Sequence, residues 1–335
     1  MMSHSNIAVF VPHLGCKRQC SFCNQRYITG TAKIPHADDV RLAVETAMKS
    51  HRYNPENGQI AFFGGSFTAI DRDYMLELLK AAKHEIDSGR AASIRISTRP
   101  DCIDVEILDV LRHYGVCSIE LGAQSMCDDV LRLNRRGHDS KAVESASHLI
   151  KQHGFELGLQ MMTGLYGDSD EKSLVTADKI IALKPDTVRI YPTVVLENTE
   201  LCRLYRAGEY EPQTVENAVT LGARLIRKFE QNGIKVIRFG LHSIDEERFV
   251  AGAWHPALAE LCYSRIYFEK AADILKVMPR GDYIIYVGKR EISKMSGQHK
   301  TNLEMLKKMG YNCKIRSIEQ SGLNDMKIVR EESLK

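Results

Sequence analysis

Short apolar runs alternate with amphipathic segments over residues 7–191, and this rhythm restricts the fold more than any other feature of the chain. Helical segments between strand-like runs are typical of a parallel sheet with right-handed crossovers. The predicted strands are Ile7–Pro12, Gln59–Gly64, Ser93–Thr98, Val116–Gly122, Phe155–Met162 and Thr187–Tyr191. The predicted helices between them are Ala37–Ser50, Arg72–Ser88, Asp104–Tyr114, Ser140–His153 and Glu171–Leu183. We therefore expect an α/β fold, a partial (β/α)6 TIM-like barrel, with a closed eight-stranded barrel as the alternative.

The pattern changes after residue 191. The further predicted helices are Glu200–Ala207, Thr214–Asn232, Ala257–Lys276 and Thr301–Met309. The further predicted strands are Lys235–Phe239, Tyr283–Val287 and Asn312–Ile318. We expect residues 1–240 to form the barrel, and residues 241–335 to form a helical connection followed by a small C-terminal α+β extension.

The composition is that of an ordinary globular protein, with 44% hydrophobic residues, 27% charged residues and a formal net charge of +3. This balance excludes a disordered chain. The net charge neither requires nor excludes a nucleic-acid partner, so local basic patches must decide this point. The apolar runs are far shorter than the ~20 residues that a bilayer needs, and the N-terminus lacks the features of a signal peptide. We therefore expect a cytoplasmic protein without a membrane partner.

Three cysteines lie close together near the N-terminus, Cys16, Cys20 and Cys23, in a C-x3-C-x2-C spacing. Three thiolates on a four-iron cluster leave one iron without a protein ligand, and an open position distinguishes a catalytic metal site from a structural one. The amino and carboxylate groups of S-adenosylmethionine could chelate that iron. The alternatives are free thiols or a zinc site completed by His13, which would be an unusually compact zinc loop. The spacing favours a [4Fe-4S] cluster in a radical enzyme.

The predicted strands end in polar or glycine-rich residues, at the edge where α/β sheets bind ligands. The second strand ends in Gly64-Gly65-Ser66, whose glycines let the backbone approach a ligand and whose carbonyls can hold an ammonium group. Thr98 lies in the polar run that ends the third strand, Gln124 follows the fourth, and Gln160 stands in the fifth. A glycine pair alone is more often a turn, but five such strand ends at one mouth favour a ligand site.

These motifs resemble those of the radical S-adenosylmethionine enzymes, and the chain is most similar to the radical domain of the Elongator catalytic subunit. It resembles the oxygen-independent coproporphyrinogen oxidases more distantly. The matching stretches span roughly residues 7 to 240, and they are residues 11–24, 64–68, 97–101, 120–125, 130–138 and 190–193.

The resemblance implies the ligands of the cluster. Cys16, Cys20 and Cys23 would bind a [4Fe-4S] cluster, and Phe22, inside the same motif, would lie against the adenine of S-adenosylmethionine.

The resemblance also implies contacts to S-adenosylmethionine from the other strand ends. Gly64-Gly65-Ser66 would receive the methionyl amino group, and Thr98 would lie in the same site. Gln124 and Arg136 would contact the ribose and the methionyl carboxylate, although Arg136 can also be interpreted as a solvated charge at a helix end. Gln160 stands where the porphyrinogen oxidases carry an aspartate that holds the ribose hydroxyls, and an amide can still donate and accept.

The chemistry implied by the resemblance starts with one electron from a flavodoxin- or ferredoxin-type donor. S-adenosylmethionine is then cleaved to methionine and a 5′-deoxyadenosyl radical, which attacks the substrate. We favour an RNA base, in tRNA, as that substrate. The alternatives are a small metabolite or cofactor precursor, or an RNA-binding protein whose cluster is structural or redox-sensing. The residues after the matching stretches are too few for the acetyltransferase domain of the Elongator subunit, so we expect no acetyl transfer.

Residues 283–316 predict a second kind of site. Their order of strand, basic turn, helix and strand resembles a KH module, whose G-x-x-G loop clamps a nucleic-acid backbone. The first glycine is Gly297, but Lys300 replaces the second. Lys294, His299 and further lysines make the segment basic, which favours phosphate contact. The alternative is a small α/β cap with a solvated basic face.

Overall fold

The computed structural model describes residues 5–11, 19–23, 34–241, 244, 246–319 and 326–331. The chain divides into two units, the first formed by residues 1–213 with 229–253 and the second by residues 214–228 with 254–335. The domain boundary that the sequence suggests after residue 240 stays a prediction. No helix among the described residues has both the length and the apolar character needed to cross a bilayer.

A parallel sheet organises the first unit. Its seven described strands are β1 Ser5–Val11, β2 Gly58–Gly64, β3 Ser93–Thr98, β4 Val116–Gln124, β5 Glu156–Thr163, β6 Thr187–Pro192 and β8 Lys235–Phe239. They lie side by side in chain order, and every neighbouring pair is parallel. The predicted partial barrel is confirmed, and the predicted strand Lys235–Phe239 joins the six strands as a seventh, β8. Among the described residues β1 and β8 are the two edges of the sheet, so the eight-stranded alternative is wrong.

Helices connect the strands of the first unit, and the amphipathic segments predict all of them except the short helix Asp128–Leu133. They are α1 Ala37–Met48, α2 Arg72–Asp87, α3 Val105–His113, α4 Asp128–Leu133, α5 Ser140–Gln152, α6 Asp170–Ala182 and α7 Glu200–Arg206. Helix α8 Val215–Gln231 follows, and most of it belongs to the second unit. The Asp104 carboxylate accepts a hydrogen bond from the Ile107 N–H at 2.8 Å and so caps α3. A short antiparallel pair that the sequence did not predict is formed by β7 Val194–Leu196 and β9 Phe249–Gly252.

The two faces of the parallel sheet differ in chemistry. One face is apolar and buried, with residues such as Ile96, Ile119 and Leu159 fully enclosed. Side chains alternate between the faces along each strand, so the residues between these positions share the opposite face. That inner face carries a charged and polar set that includes Glu120 and Arg189. The first unit is therefore a partial barrel with a polar interior.

The second unit is a small α+β layer, as predicted for the C-terminal extension. It contains α9 Leu258–Leu275, β10 Gly281–Gly288, α10 Ile292–Ser296, α11 Thr301–Lys308, β11 Tyr311–Ile318 and β12 Lys327–Arg330. Strand β10 lies in the middle of the sheet, parallel to β11 and antiparallel to β12. Its core is apolar and includes Tyr283, Ile285, Met295 and Leu306. The sequence did not predict α10 or β12.

Candidate functional site

The loop that carries the cysteines is anchored through Ser21. Its hydroxyl donates to Asn134 Oδ1 at 2.6 Å, and its N–H donates to the Asn134 carbonyl at 3.2 Å. The Ser21 carbonyl accepts from the Leu201 N–H at 2.8 Å. Asn134 is itself buried, and its amide donates to the Tyr166 carbonyl at 2.9 Å. The loop is thus tied to the segments that follow β4, β5 and β7.

Two of the three predicted cluster ligands are described, and they lie together. Cys20 is buried, Cys23 is half-buried, and the Cys23 N–H donates to the Cys20 carbonyl at 3.1 Å. Cys16 lies outside the described residues. Neither Cys20 nor Cys23 forms a disulfide, so no cross-link consumes either thiol.

Arg136 connects the cysteine loop to the end of the sheet. Its Nη1 donates to Cys20 Sγ at 3.2 Å, and its Nη2 donates to the Gly122 carbonyl at 2.7 Å. The side chain is buried, and its Nε has no hydrogen-bond partner among the described residues. The alternative of a solvated helix-end charge is therefore wrong for Arg136. Its guanidinium instead lies where it can stabilise a cysteine thiolate.

The glycine motif ends β2 close to the end of β1. Gly64 has a φ of +120°, and a Cβ added there would lie 2.2 Å from the Val11 carbonyl oxygen. The Gly65 N–H donates to that same carbonyl at 3.2 Å. Gly64 is needed here because a side chain would force apart β2 and the strand that leads into the cysteine loop.

Ser66 and Thr98 join the ends of β2 and β3. Their hydroxyls are buried and lie 2.8 Å apart, and Ser66 Oγ also accepts from the Arg99 N–H at 3.2 Å. Thr98 Oγ1 lies 2.6 Å from the Thr68 hydroxyl. These side chains fix the relative position of the two strand ends, and their contact with S-adenosylmethionine stays a prediction.

A bulge at the end of β4 orients Gln124. The pairing of β4 with β5 shifts between Gly122 and Gln124, and Gln124 has a left-handed φ of 65°. A Cβ on Gly122 would lie 2.9 Å from Gln124 Nε2, so glycine leaves room for that amide. Gln124 Oε1 is buried and has no partner among the described residues. A buried acceptor without a partner fits a site that receives a donor from a ligand.

Phe22 packs against other side chains of the first unit. It lies half-buried against an apolar cluster that includes Leu201, Leu204 and Tyr210. This contact fixes the loop between two of the cysteines. The contact of Phe22 with adenine stays a prediction.

Gln160 belongs to a buried network centred on Glu120, deeper on the inner face. The Glu120 carboxylate is 1% exposed, and it accepts from Arg189 Nε at 2.6 Å and from Gln160 Nε2. Arg95 Nη1 lies 3.5 Å from the same carboxylate. Burial lowers the pKa of Arg189, but the charges of Glu120 and Tyr191 and its hydrogen bonds to both side chains together raise it above its ordinary value. Burial also raises the pKa of Tyr191 on the same strand, so its phenol stays protonated.

A buried histidine lies behind Arg136. The His138 side chain is 0% exposed, and its Nδ1 lies 3.9 Å from Asp101 Oδ1. Burial and the charge of Arg136 lower the pKa of His138 to about 4. Arg99 binds Asp101 through Nε and Nη2, both at 2.9 Å, and donates to the Arg136 carbonyl at 2.6 Å. The imidazole is neutral at pH 7, so it adds no charge beside the two arginines.

Asn134 and the Glu120 network are the two features of the site that sequence reasoning missed. Asn134 joins segments that are 113 residues apart in the chain, and no local pattern marks such a contact. Glu120 was visible only as a polar group near a strand end. A signal did exist for the network, since Arg95, Glu120 and Arg189 interrupt apolar runs in three of the predicted strands with opposite charges.

Comparisons with known proteins agree with this geometry. The family model of the Radical SAM superfamily matches residues 10–180, and that of the Radical_SAM C-terminal domain matches residues 185–281. The tRNA uridine(34) acetyltransferase of Methanocaldococcus jannaschii is 30% identical over 184 residues, which are 49% of this chain and 34% of that protein. Elongator complex protein 3 of Homo sapiens is 30% identical over 200 residues, which are 53% and 36% of the two chains. The chain thus spans about a third of the length of these relatives.

A solved structure shows the same fold. Archaeal Elp3 of Methanocaldococcus infernus, with its N-terminus deleted, aligns at a TM-score of 0.66 and 23% identity. The alignment covers 81% of this chain and 64% of that one. The predicted resemblance is confirmed by these matches.

Proposed function

This chain belongs to the radical SAM superfamily, and on that premise we propose that it modifies a base of RNA, in tRNA. Members of the superfamily use a [4Fe-4S] cluster and S-adenosylmethionine. Relatives that match 42% and 49% of the chain are named for tRNA uridine 34. The observation that carries the proposal is the polar interior of the partial barrel, because a base needs both donors and acceptors on its edges.

The described residues fit this pair of cofactors. Cys20 and Cys23 lie together, with a guanidinium N–H on the Cys20 sulfur. Gln124 Oε1 and Arg136 Nε are buried polar atoms without a partner among the described residues. The two strand ends that meet at Gly64 admit backbone and exclude a side chain. Donors and acceptors are thus left over where S-adenosylmethionine would bind.

Each part of the site has a role in the proposal. Cys16, Cys20 and Cys23 hold the cluster, which when bound supplies the electron that cleaves S-adenosylmethionine to methionine and a 5′-deoxyadenosyl radical. Arg136 orients the Cys20 sulfur and offers its Nε to the methionyl carboxylate. Gln124 offers its free oxygen to the ribose.

The remaining groups orient the cofactor and the base. Gly64-Gly65-Ser66 receives the methionyl amino group beside Thr98, and Phe22 holds the loop near the adenine. Gln160 is fixed by Glu120, and its free amide oxygen faces the ribose or the base. Arg189, whose guanidinium carbon lies 5.4 Å from the centroid of the Phe63 ring, holds that wall of the interior in place.

The proposed reaction needs an electron donor, and it has to take place in a suitable compartment of the cell. We propose a flavodoxin- or ferredoxin-type donor, because these proteins transfer single electrons and the cluster is reduced by one electron. A reducing cytoplasm keeps the cluster thiols from forming disulfides, which supports a cytoplasmic location.

The test combines genetics with a matched pair of cysteine variants. Mass spectrometry of tRNA nucleosides from a deletion strain should reveal a missing modification that the wild-type gene restores. Cys20→Ser should not restore it, whereas Cys262→Ser, which alters a buried cysteine of the second unit, should restore it.

Assays of the purified protein distinguish tRNA modification from the two alternatives, a small-molecule substrate and a structural cluster. Anaerobically reconstituted wild type should bind about four irons and release 5′-deoxyadenosine when reduced with S-adenosylmethionine. Cleavage of S-adenosylmethionine without any change in tRNA nucleosides would instead favour a small metabolite as the substrate. A full cluster without cleavage would identify a structural or redox-sensing role.

A further inference from the structure

The turn between α10 and α11 has an unusual backbone. It runs over Gly297–Lys300, and Gly297 has a φ of 75° and a ψ of 163°, a region that only glycine occupies readily. His299 and Lys300 follow with φ values of 51° and 63°. Two successive side-chain-bearing residues in the left-handed region carry a steric cost, which surrounding contacts must offset.

Buried contacts hold this turn in one shape. Asn302 is 3% exposed, and its Nδ2 donates to the Ser264 carbonyl at 3.0 Å and to the Met295 carbonyl at 3.1 Å. A Cβ on Gly297 would lie 2.6 Å from Thr301 Oγ1. The turn is therefore fixed by its surroundings, and its first position requires glycine.

The turn forms one wall of a cleft of about 680 Å³ in the second unit. Lys289 and Lys300 are exposed cations at its rim, and Ile292, 37% exposed, contributes an apolar surface. Ser293, Ser296, Gln298 and His299 add polar groups, and Glu260 is its one carboxylate among the described lining residues. Cations beside an apolar surface suit a chain that presents phosphates and bases together.

The order of the elements around the turn also points to a nucleic-acid site. Strand β10, helix α10, the turn, helix α11 and strand β11 follow one another, and β10 and β11 are parallel neighbours. This helix, G-x-x-G-type turn and helix between two strands is the arrangement with which KH modules clamp a nucleic-acid backbone. The residue that departs from the motif, Lys300, replaces glycine at a left-handed position and adds a cation there.

We propose that this cleft binds the sugar–phosphate backbone of single-stranded RNA. The proposal rests on the proposed function, for which it assigns the part of the chain that holds the RNA. Lys289 and Lys300 bind phosphates, and Ile292 contacts a base. Lys294, predicted from the sequence as a contact, does not line the cleft, and its Nζ lies 4.8 Å from the centroid of the Tyr263 ring.

The first experiment compares two double variants of equal net charge in the full-length, cluster-loaded protein. The probe is a fluorescein-labelled single-stranded RNA of about 12 nucleotides. Lys289→Glu/Lys300→Glu should weaken binding about tenfold or more, and should lower the slope of log K against log salt by about 1.4 for two lost phosphate contacts. The control Lys308→Glu/Lys327→Glu changes exposed lysines outside the cleft and should change affinity less than about twofold. Equal losses in the two variants would overturn the proposal.

The second experiment uses Lys300→Gly, which removes the cation and the backbone strain together. The variant should unfold at a higher temperature than wild type, because glycine suits the left-handed position. The same variant should bind the RNA more weakly. Wild-type affinity in Lys300→Gly would overturn the assignment, and the thermal readout shows at the same time that the variant is folded.

The outcomes separate this proposal from the proposed function. If the wild type cleaves S-adenosylmethionine but does not bind the RNA at low salt, this proposal fails and the radical chemistry stands. If it binds the RNA through Lys289 and Lys300 but cleaves nothing with a full cluster, the proposed function fails and the cleft stands. Equally tight binding of a DNA of the same sequence would overturn the assignment to RNA.

Discussion

Acid is expected to destabilise this protein through one buried imidazole, that of His138. Burial, then the charge of Arg136, lower its pKa from 6.5 to about 4, and Asp101 opposes the shift only in part. The unfolded chain binds the proton near pH 6.5, whereas the folded chain binds it near pH 4. Between these values the unfolded state holds more protons, so the free energy of unfolding falls as the pH is lowered.

The size of this effect follows from the two pKa values. The free energy of unfolding falls by about 3 kcal/mol between pH 7 and pH 4, and about 2 kcal/mol of this is already lost by pH 5. The lowered pKa of Asp101, where burial is outweighed by Arg99, adds its own loss only as the pH approaches the normal range of a carboxyl group. Between pH 7 and pH 5 the His138 contribution can therefore be measured separately from that of Asp101.

The assay is urea unfolding of the full chain at pH 7, 6 and 5, for wild type and His138→Gln. The wild type should lose about 2 kcal/mol more than the variant between pH 7 and pH 5. His148→Gln, which changes an exposed histidine on α5, should behave as the wild type does. The same pH dependence in wild type and His138→Gln, or a wild type that gains stability in acid, would refute the reasoning.

Three further predictions concern the interior and the strand ends. Glu120→Ala should cost about 3–5 kcal/mol in urea unfolding, because it leaves the buried Arg189 without its counter-charge; a loss below 1 kcal/mol would contradict the network. Gly64→Ala should cost about 3 kcal/mol by forcing apart β1 and β2, whereas Gly89→Ala, with no atom within 4 Å of the added Cβ, should cost about 1 kcal/mol; equal costs would contradict the close approach. Arg136→Gln should make the cluster potential more negative, since a hydrogen bond to a ligand sulfur favours the reduced cluster; an unchanged potential in an electron paramagnetic resonance titration would exclude that bond.

The alternating elements of the first unit could be predicted because each of them buries one face. Strands β3 and β8 were predicted to the residue, and the other strands of the barrel to within two residues. The pair β7 and β9 was not predicted, because strands of three and four residues are too short to show a period in the sequence. Helix α10 escaped for the same reason, with five residues.

The chemistry of the site was less accessible to sequence reasoning. A polar residue in a strand predicts a face, but only the register between strands brings Glu120 to Arg189, 69 residues away. The hydroxyls of Ser66 and Thr98 read as ligand contacts in the sequence, and the structure shows them bonded to each other. Such pairings depend on tertiary geometry that no local pattern encodes.

The anchoring of Ser21 has a consequence for how the protein is made on the ribosome. The last described cysteine of the loop is residue 23, but the loop is held by Asn134 and by the N–H of Leu201. At about 5–20 residues per second, residue 201 is synthesised roughly 10 to 35 seconds after residue 23. During that interval the cysteines have emerged without the contacts that hold them together. Cluster insertion therefore belongs after translation of most of the chain, and oxygen reaches these thiols most easily while the chain is still being synthesised.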